Sequence, residues 1–332
     1  MSQERIVVLD DWTRFWSTQP AVERLRQRGE VIIHDTPANG EDDVIDRLAG
    51  ATVAIANRER TPLGAGVLRS ASSLRLLAQT GRISPNVDAP AATEQGIALV
   101  AAGGLPGSHT AVAELGLALL LGLVRDLPRN DRRVREGDWV APPTGMLSGR
   151  TLGILGLGNI GGHMARLGQA LQMRVIAWGP TLTAERAAQS GVEFVAFDDL
   201  FPQTDVLFIS TRLSERTRGL VGAAQLAAMP RGSYLINIAR GPIVDQAALV
   251  AALDGHHLAG AGLDVYDSEP LSTDHPLVRL PNVLLTPHIG WGTDTNFARM
   301  VENLTAAIIR FLDGDTSHVV NPDALARRAA NV

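Results

Sequence analysis

The apolar positions of the first hundred residues fall into short runs at 6–9, 31–34, 53–56, 74–77 and 97–100. Polar-faced stretches of helical length, such as 22–28 and 42–48, separate them. Strands of Val, Ile and Leu without alternation are buried on both faces, so this rhythm predicts a parallel sheet covered by helices. The sequence Ala101-Ala-Gly-Gly-Leu-Pro-Gly107 breaks it and predicts a hinge or a crossing between domains. Residues 109–125 then read as a helix apolar on nearly every side, which must be buried in a core or in a seam between subunits. The polar stretch 126–150, with Trp139 and Pro142-Pro143, predicts an extended arm. From Thr151 the rhythm restarts, with strands at 152–155, 174–178, 206–210, 233–238, 259–264 and 283–286. Six parallel strands that open with a Gly-rich turn outline a doubly wound nucleotide-binding domain. Residues 296–313 have helical periodicity, and their return to the first domain would make that domain discontinuous.

Composition narrows the chemistry. A chain of 332 residues fits two domains of ~100–200 residues each. It has no Cys and no Lys, so all 30 basic side chains are Arg. That excludes disulfides, Cys-ligated zinc and a thiolate nucleophile. It also excludes an internal Schiff base, a complete Walker A loop and a Tyr/Lys proton relay. The formal net charge is −5 and the Arg residues are scattered, so no nucleic-acid partner is expected. No His/Asp/Glu set has metal-ligand spacing, and no metal is expected. The longest uncharged apolar run, 115–124, is short of the ~20 residues that span a bilayer. With no basic n-region ahead of the first strand, the expectation is a cytoplasmic protein without membrane contact.

Gly156-Leu-Gly158-Asn-Ile-Gly161 follows a predicted strand and opens a predicted helix. Gly156 permits the tight turn, Gly158 lets the backbone approach a pyrophosphate, and Gly161 lets helix and strand pack closely. The helix N-terminus favours the anion, so a dinucleotide is the expected ligand. The second strand of such a domain normally ends in a carboxylate that grips the adenosine ribose. Here it ends in Trp178-Gly179-Pro180. Either backbone groups and solvent replace that carboxylate, or its loss makes room for a 2′-phosphate, which leaves NAD and NADP both open.

Three polar residues stand just past predicted strands: Arg240 in INIARGPIVD, Glu269 in AGLDVYDSEP and His288 in LLTPHIG. Ligands of parallel α/β sheets bind at the carboxyl ends of strands, so all three can face one crevice. Singly, each reads as an ion-pair partner, a turn residue or a cap. Together they supply an anion fork, a proton carrier active near neutral pH and a carboxylate that favours its charged form.

These motifs, with Leu263-Asp264-Val265-Tyr266, Pro270 and Thr286-Pro287-His288-Ile289-Gly290, resemble the D-isomer-specific 2-hydroxyacid dehydrogenases over nearly the whole chain. The resemblance implies two doubly wound parallel-sheet α/β domains. One is a flavodoxin-like substrate domain from residues 1–104 plus 294–332; the other is a Rossmann cofactor domain at 105–293. It implies hydride transfer between NAD(P)H and a small 2-oxo or 2-hydroxy acid, as a 2-oxoacid reductase. Arg240 would bind the substrate carboxylate and carbonyl, His288 would move the proton, and Glu269 would pair with His288. Cofactor contacts are implied at Gly156, Gly158, Asn159, Ile160, Gly161, Gly179, Thr211, Arg212, Ala239 and Asp264, with Asp264 on the nicotinamide amide. Arg212 is also a candidate for a phosphate contact. The substrate-carboxylate loop matches loosely at Gly81 and Arg82, where Arg82 is either an extra anion contact or a surface residue. A homodimer through the helix at 109–125 is implied. The same resemblance admits a phosphoglycerate dehydrogenase, with no further domain expected after the last helix, or an NAD(H)-sensing corepressor-like binding protein.

Overall fold

The computed structural model of the protein describes residues 4–103 and 107–330. The chain forms two compact units, one from Met1–Pro106 with Asp294–Val332 and the other from Gly107–Thr293. Of the crossing expected at 101–107, residues 104–106 lie outside the described residues.

The first unit is built on five strands: β1 (Glu4–Leu9), β2 (Gly29–Ile33), β3 (Val53–Ala56), β4 (Leu76–Gln79) and β5 (Ala98–Ala101). They are all parallel in the order β2-β1-β3-β4-β5, the flavodoxin-like arrangement. β4 starts two residues later than the apolar run suggests. Leu74 is buried in the turn before it, and the polar Gln79 extends it. The Gln79 amide donates to the Arg58 carbonyl at 2.6 Å and to Asn86 Oδ1 at 3.1 Å, so its burial leaves no donor unpaired. The helix Asp294–Leu312 returns to this unit, where Val301, Leu304 and Ile308 share a core with Ile6, Val8 and Leu76. Asn321 then accepts the Leu99 amide at 2.7 Å and Leu99 accepts the Val320 amide at 2.9 Å, which ties the C-terminal segment to β5.

The second unit carries β6 (Thr151–Leu155), β7 (Arg174–Trp178), β8 (Glu193–Phe194), β9 (Val206–Ile209), β10 (Ser233–Asn237), β11 (Leu258–Leu263) and β12 (Val283–Leu285). All pairings are parallel, in the order β12-β11-β10-β9-β6-β7-β8. That is the doubly wound order of dinucleotide-binding domains, with the reversal between β6 and β9. Only β8 escapes the sequence pattern, because its two residues are both exposed and carry no apolar run.

The helix Ser108–Val124 lies on this sheet, with Leu119, Leu120 and Val124 in one core with Ile154, Phe208 and Ile236. The extended arm expected after it is corrected over part of its length, because Leu127–Arg135 is a helix. It buries no residue, so it has no apolar stripe to betray it. Local features favour it instead: Pro128 in the first turn and an Asp131–Arg135 ion pair of 2.9 Å one turn apart. Beyond it, Trp139 is 85% exposed, and Val140 and Met146 are exposed too. Among the described residues no helix is long and apolar enough to cross a membrane, and no three His, Asp or Glu side chains could share a metal ion.

Candidate active site

The glycine turn after β6 has one reason for each glycine. Gly156 has φ +106°, and a Cβ there would lie 2.6 Å from the Thr211 nitrogen, so only glycine lets this turn rest on the segment after β9. Ser210 fixes the contact by donating its hydroxyl to the Gly156 carbonyl at 2.8 Å. At Gly161 a Cβ would stand 2.3 Å from that same carbonyl, so the third glycine seats the helix Asn159–Ala170 against the turn. Gly158, the residue before the helix, has no atom within 4 Å of its would-be Cβ. The space that Gly158 leaves open adjoins helix amides with no intrahelical acceptor. Asn159 and Ile160 open that helix. This cradle fits the pyrophosphate of a dinucleotide.

Gly179 follows β7 and packs beside the same turn, where its would-be Cβ meets Leu182 at 3.5 Å and the Gly156 Cα at 3.7 Å. These are ordinary contacts, so the position has room for a side chain. Arg186 donates to the Thr181 carbonyl at 2.8 Å, which anchors a guanidinium to the loop that ends β7. Thr211 is buried, whereas Arg212 is exposed and its carbonyl accepts the Thr217 hydroxyl at 2.7 Å.

Arg240, Glu269 and His288 follow β10, β11 and β12, three neighbours in the sheet. His288 Nδ1 lies 2.7 Å from Glu269 Oε2. The other carboxylate oxygen, Oε1, accepts the Tyr266 amide at 3.0 Å. Burial alone would raise the Glu269 carboxyl. The hydrogen bonds from His288 and the Tyr266 amide, with the charges of His288 and Arg240, outweigh burial and hold it below the usual carboxylate range. The three residues thus form one electrostatic group. With Nδ1 committed to Glu269, Nε2 is the ring nitrogen left to exchange a proton with a ligand.

Residues that the motifs did not mark as functional position this group. Asn237, buried at the end of β10, accepts the Ala239 amide at 3.1 Å and donates to the Arg240 carbonyl at 3.0 Å, which sets the turn that presents Arg240. Arg240 Nη1 donates to the Ala239 carbonyl at 2.6 Å. Tyr266 donates its hydroxyl to the carbonyls of Leu263 and Thr286, at 3.1 and 2.9 Å. Burial first, and the Asp264 charge second, push that phenol up to about 12, so it stays a neutral donor.

Asp264 is 1% exposed. Its Oδ1 accepts the Thr286 hydroxyl at 2.7 Å and the Ile289 amide at 2.8 Å, and its Oδ2 accepts the Gly290 amide at 2.9 Å. Three donors from the loop around His288 therefore take most of its acceptor capacity. His288 itself has φ +54°, a conformation non-glycine residues hold only when their surroundings fix it.

Gly81 and Arg82 belong to the first unit, just past β4. Gly81 has φ +87°, and Arg58 Nη1 lies 2.8 Å from its would-be Cβ, so the Arg58 guanidinium covers this turn. The sequence offers no sign of Arg58 in that place, because the pairing of β3 with β4 brings it there.

Residues 117–290 match the family model of the D-isomer specific 2-hydroxyacid dehydrogenase NAD binding domain. The chain is 38% identical over 279 residues to a D-3-phosphoglycerate dehydrogenase of Archaeoglobus fulgidus, covering 83% of this chain and 52% of that one. It therefore spans about half the length of that relative. It is 35% identical over 274 residues to a glyoxylate reductase of Korarchaeum cryptofilum, covering 80% of this chain and 82% of that one. The crystal structure of a phosphoglycerate oxidoreductase from Vibrio cholerae superposes with a TM-score of 0.85 at 30% identity, over 94% of this chain and 99% of that one. On the strand order, the glycine turn and these matches, the chain belongs to the D-isomer specific 2-hydroxyacid dehydrogenases.

Proposed function

We propose that the protein is an NAD(P)-dependent oxidoreductase that reduces a small 2-oxo acid to the D-2-hydroxy acid. The observation that carries this reading is the 2.7 Å His288–Glu269 pair within the charge of Arg240 at three adjacent strand ends. The cofactor supplies the hydride. Arg240 holds the substrate carboxylate with its planar guanidinium and polarises the 2-oxo group. His288 donates a proton from Nε2 to the oxygen as C2 is reduced, and takes it back in the reverse direction. Glu269 stabilises the charged ring from the Nδ1 side. Asp264 and Tyr266 hold the His288 loop in place. Oxidation of NADH or NADPH with a panel of 2-oxo acids tests the reading; no turnover with any of them sinks it.

In this reading residues 1–104 with 294–332 form the substrate domain, where Gly81 and Arg82 contact the substrate, and 105–293 form the cofactor domain. Gly156, Gly158, Asn159, Ile160, Gly161, Gly179, Thr211, Arg212, Ala239 and Asp264 contact the cofactor. The protein works in the cytoplasm as a homodimer. The seam comprises the helix Ser108–Val124 and the arm that follows, where Leu127, Val134, Trp139, Val140 and Met146 leave an apolar surface exposed.

The pairing of Glu269 with His288 has a pH signature. The charged ring helps to hold the Glu269 carboxyl low. Reduction requires that protonated form, so its rate falls as the pH rises through the loss of the proton. Glu269→Gln removes the negative charge, and the alkaline limb of kcat/KM for reduction moves to lower pH. An unmoved limb would assign the partner of His288 to another residue.

Cofactor preference turns on Gly179. With no carboxylate at 179–181 there is neither a ribose acceptor nor a repulsive charge against a 2′-phosphate, and Arg186 is anchored beside that loop. We expect kcat/KM with NADPH to be comparable to that with NADH. Gly179→Asp, which the space there admits, shifts the ratio towards NADH by about tenfold or more, one charge-assisted contact being worth about 1.5–3 kcal/mol. Both cofactors are to be compared at one ionic strength, since salt screens exposed phosphate contacts. A wild-type preference for NADH of about a hundredfold, or roughly 2.8 kcal/mol, would overturn the expectation.

A further inference from the structure

We propose that His163 is a positioning residue for the reaction, a latch that holds only while its imidazole is neutral. It joins the helix Asn159–Ala170, which opens at the dinucleotide turn, to the first turn of the helix Ser108–Val124, which backs the loop of His288. This rests on the 2-oxoacid reading above and adds to it an acid dependence that the His288–Glu269 pair does not produce.

The helix Ser108–Val124 begins without the usual means of holding a first turn. Gly107, ahead of it, has no side chain to accept its amides, and no acidic residue stands in that turn. Yet the turn supports the catalytic loop. The two methyl carbons of Val112 stand 3.4 and 3.5 Å from where a Gly290 Cβ would be. The Gly290 amide is one of the three donors that Asp264 holds. Fraying of the first turn therefore removes a wall from the segment that presents His288.

A contact between the two helices replaces the missing cap. Thr110 Oγ1 lies 3.3 Å from His163 Nε2, and His163 Nδ1 lies 2.8 Å from Arg166 Nη2. The second contact fixes the chemistry of the first. A guanidinium has donors only, so Nδ1 accepts, and a neutral ring with an acceptor at Nδ1 carries its proton at Nε2. Nε2 then donates to the Thr110 hydroxyl. Neither the other tautomer nor the charged ring makes both bonds. The His109 ring lies 5.0 Å from that of His163, centre to centre. Burial first, then the charges of Arg166 and His109, hold the His163 ring below the usual histidine range, and only Glu114 opposes them. A proton on Nδ1 would meet an Arg166 donor of like charge, so ring and guanidinium part and the hold on Thr110 goes with them. The folded protein binds this proton less readily than the unfolded chain does. The latch is therefore complete above the ordinary histidine value of about 6.5, and its stabilisation is lost as the pH falls from there through the lower value of the folded protein.

Two variants of the full chain separate the latch from simple packing. His163→Gln keeps an oxygen to accept from Arg166 and an amide to donate to Thr110, with nothing to titrate. His163→Ala keeps neither. In the parent we expect kcat for reduction, at saturating NADH and 2-oxo acid, to fall by about 2–10-fold between about pH 7.5 and about pH 5.5, as the loss of one hydrogen bond allows. His163→Gln holds its rate across that range, and its alkaline limb stays where the parent's lies. His163→Ala is slower by that factor at both ends. Two readouts need no turnover. Nitrogen NMR of the free protein shows His163 as the Nε2–H tautomer at neutral pH, and acid lowers the melting temperature of the parent more than that of His163→Gln. An acid fall of equal size in His163→Gln, a His163→Ala rate equal to the parent's at neutral pH, or an Nδ1–H tautomer overturns the latch and leaves the 2-oxoacid reading intact. No turnover by the parent with any acid overturns that reading and the role in the reaction with it.

Discussion

His288→Ala lowers kcat/KM for 2-oxoacid reduction by about 10²–10⁴-fold, the range in which a lost general acid falls. The dissociation constant for NADH stays close to that of the parent protein, because the glycine turn after β6 does not depend on the imidazole. The loop survives the change for a reason visible in its hydrogen bonds. The His288 amide donates to the Thr286 carbonyl at 3.1 Å, and Asp264 grips Thr286, Ile289 and Gly290 on either side. The backbone is therefore held by groups other than the ring. Alanine is less at ease than histidine at φ +54°, so His288→Asn, a residue that tolerates this region, is the control. Both variants lose the alkaline limb of the pH profile along with the rate, while melting temperature separates any strain from lost chemistry. A kcat/KM near that of the parent in both variants would remove His288 from the role of acid.

Most strands were legible because their central residues are buried on both faces and are therefore rich in Val, Ile, Leu and Ala; β3 and β7 fall at the residues the pattern marks. The helix Leu127–Arg135 and β8 were not, for the same physical reason reversed: neither buries a side chain, so neither imposes a period. At the site, Arg240, Glu269 and His288 stand out as polar residues in fixed motifs past apolar strands. What supports them does not. Asn237 and Tyr266 act through backbone amides and carbonyls, and a hydrogen bond to the backbone leaves no mark on the partner's identity. Asp264 is read from its motif as a contact for the nicotinamide amide; the motif gives no sign that its oxygens also hold the loop that carries His288.

Gly158→Val and Gly161→Ala separate a glycine kept for a ligand from one kept for the fold. At Gly158 the backbone has φ −98°, which any residue adopts, and no protein atom stands within 4 Å of a Cβ. Valine therefore fits the protein, and the melting temperature of the free protein stays near that of the parent. The branched side chain occupies the ground beside the first helix amides. An anion kept from even one of those charge-assisted hydrogen bonds loses about 10–100-fold in affinity. Fluorescence titration with NADH reads this directly, without turnover. At Gly161 the order of effects inverts. A Cβ 2.3 Å from the Gly156 carbonyl and 2.9 Å from Ser210 Oγ meets backbone that the Ser210 hydroxyl has already fixed. Either the helix Asn159–Ala170 moves off β6 or the turn opens, and overpacking of this kind costs about 1–3 kcal/mol. Gly161→Ala accordingly lowers the melting temperature of the ligand-free protein, with weaker NADH binding as a consequence. Equal loss of stability in both variants would mean that Gly158 serves the fold as well, and that the open space beside it is not where the cofactor's phosphates lie.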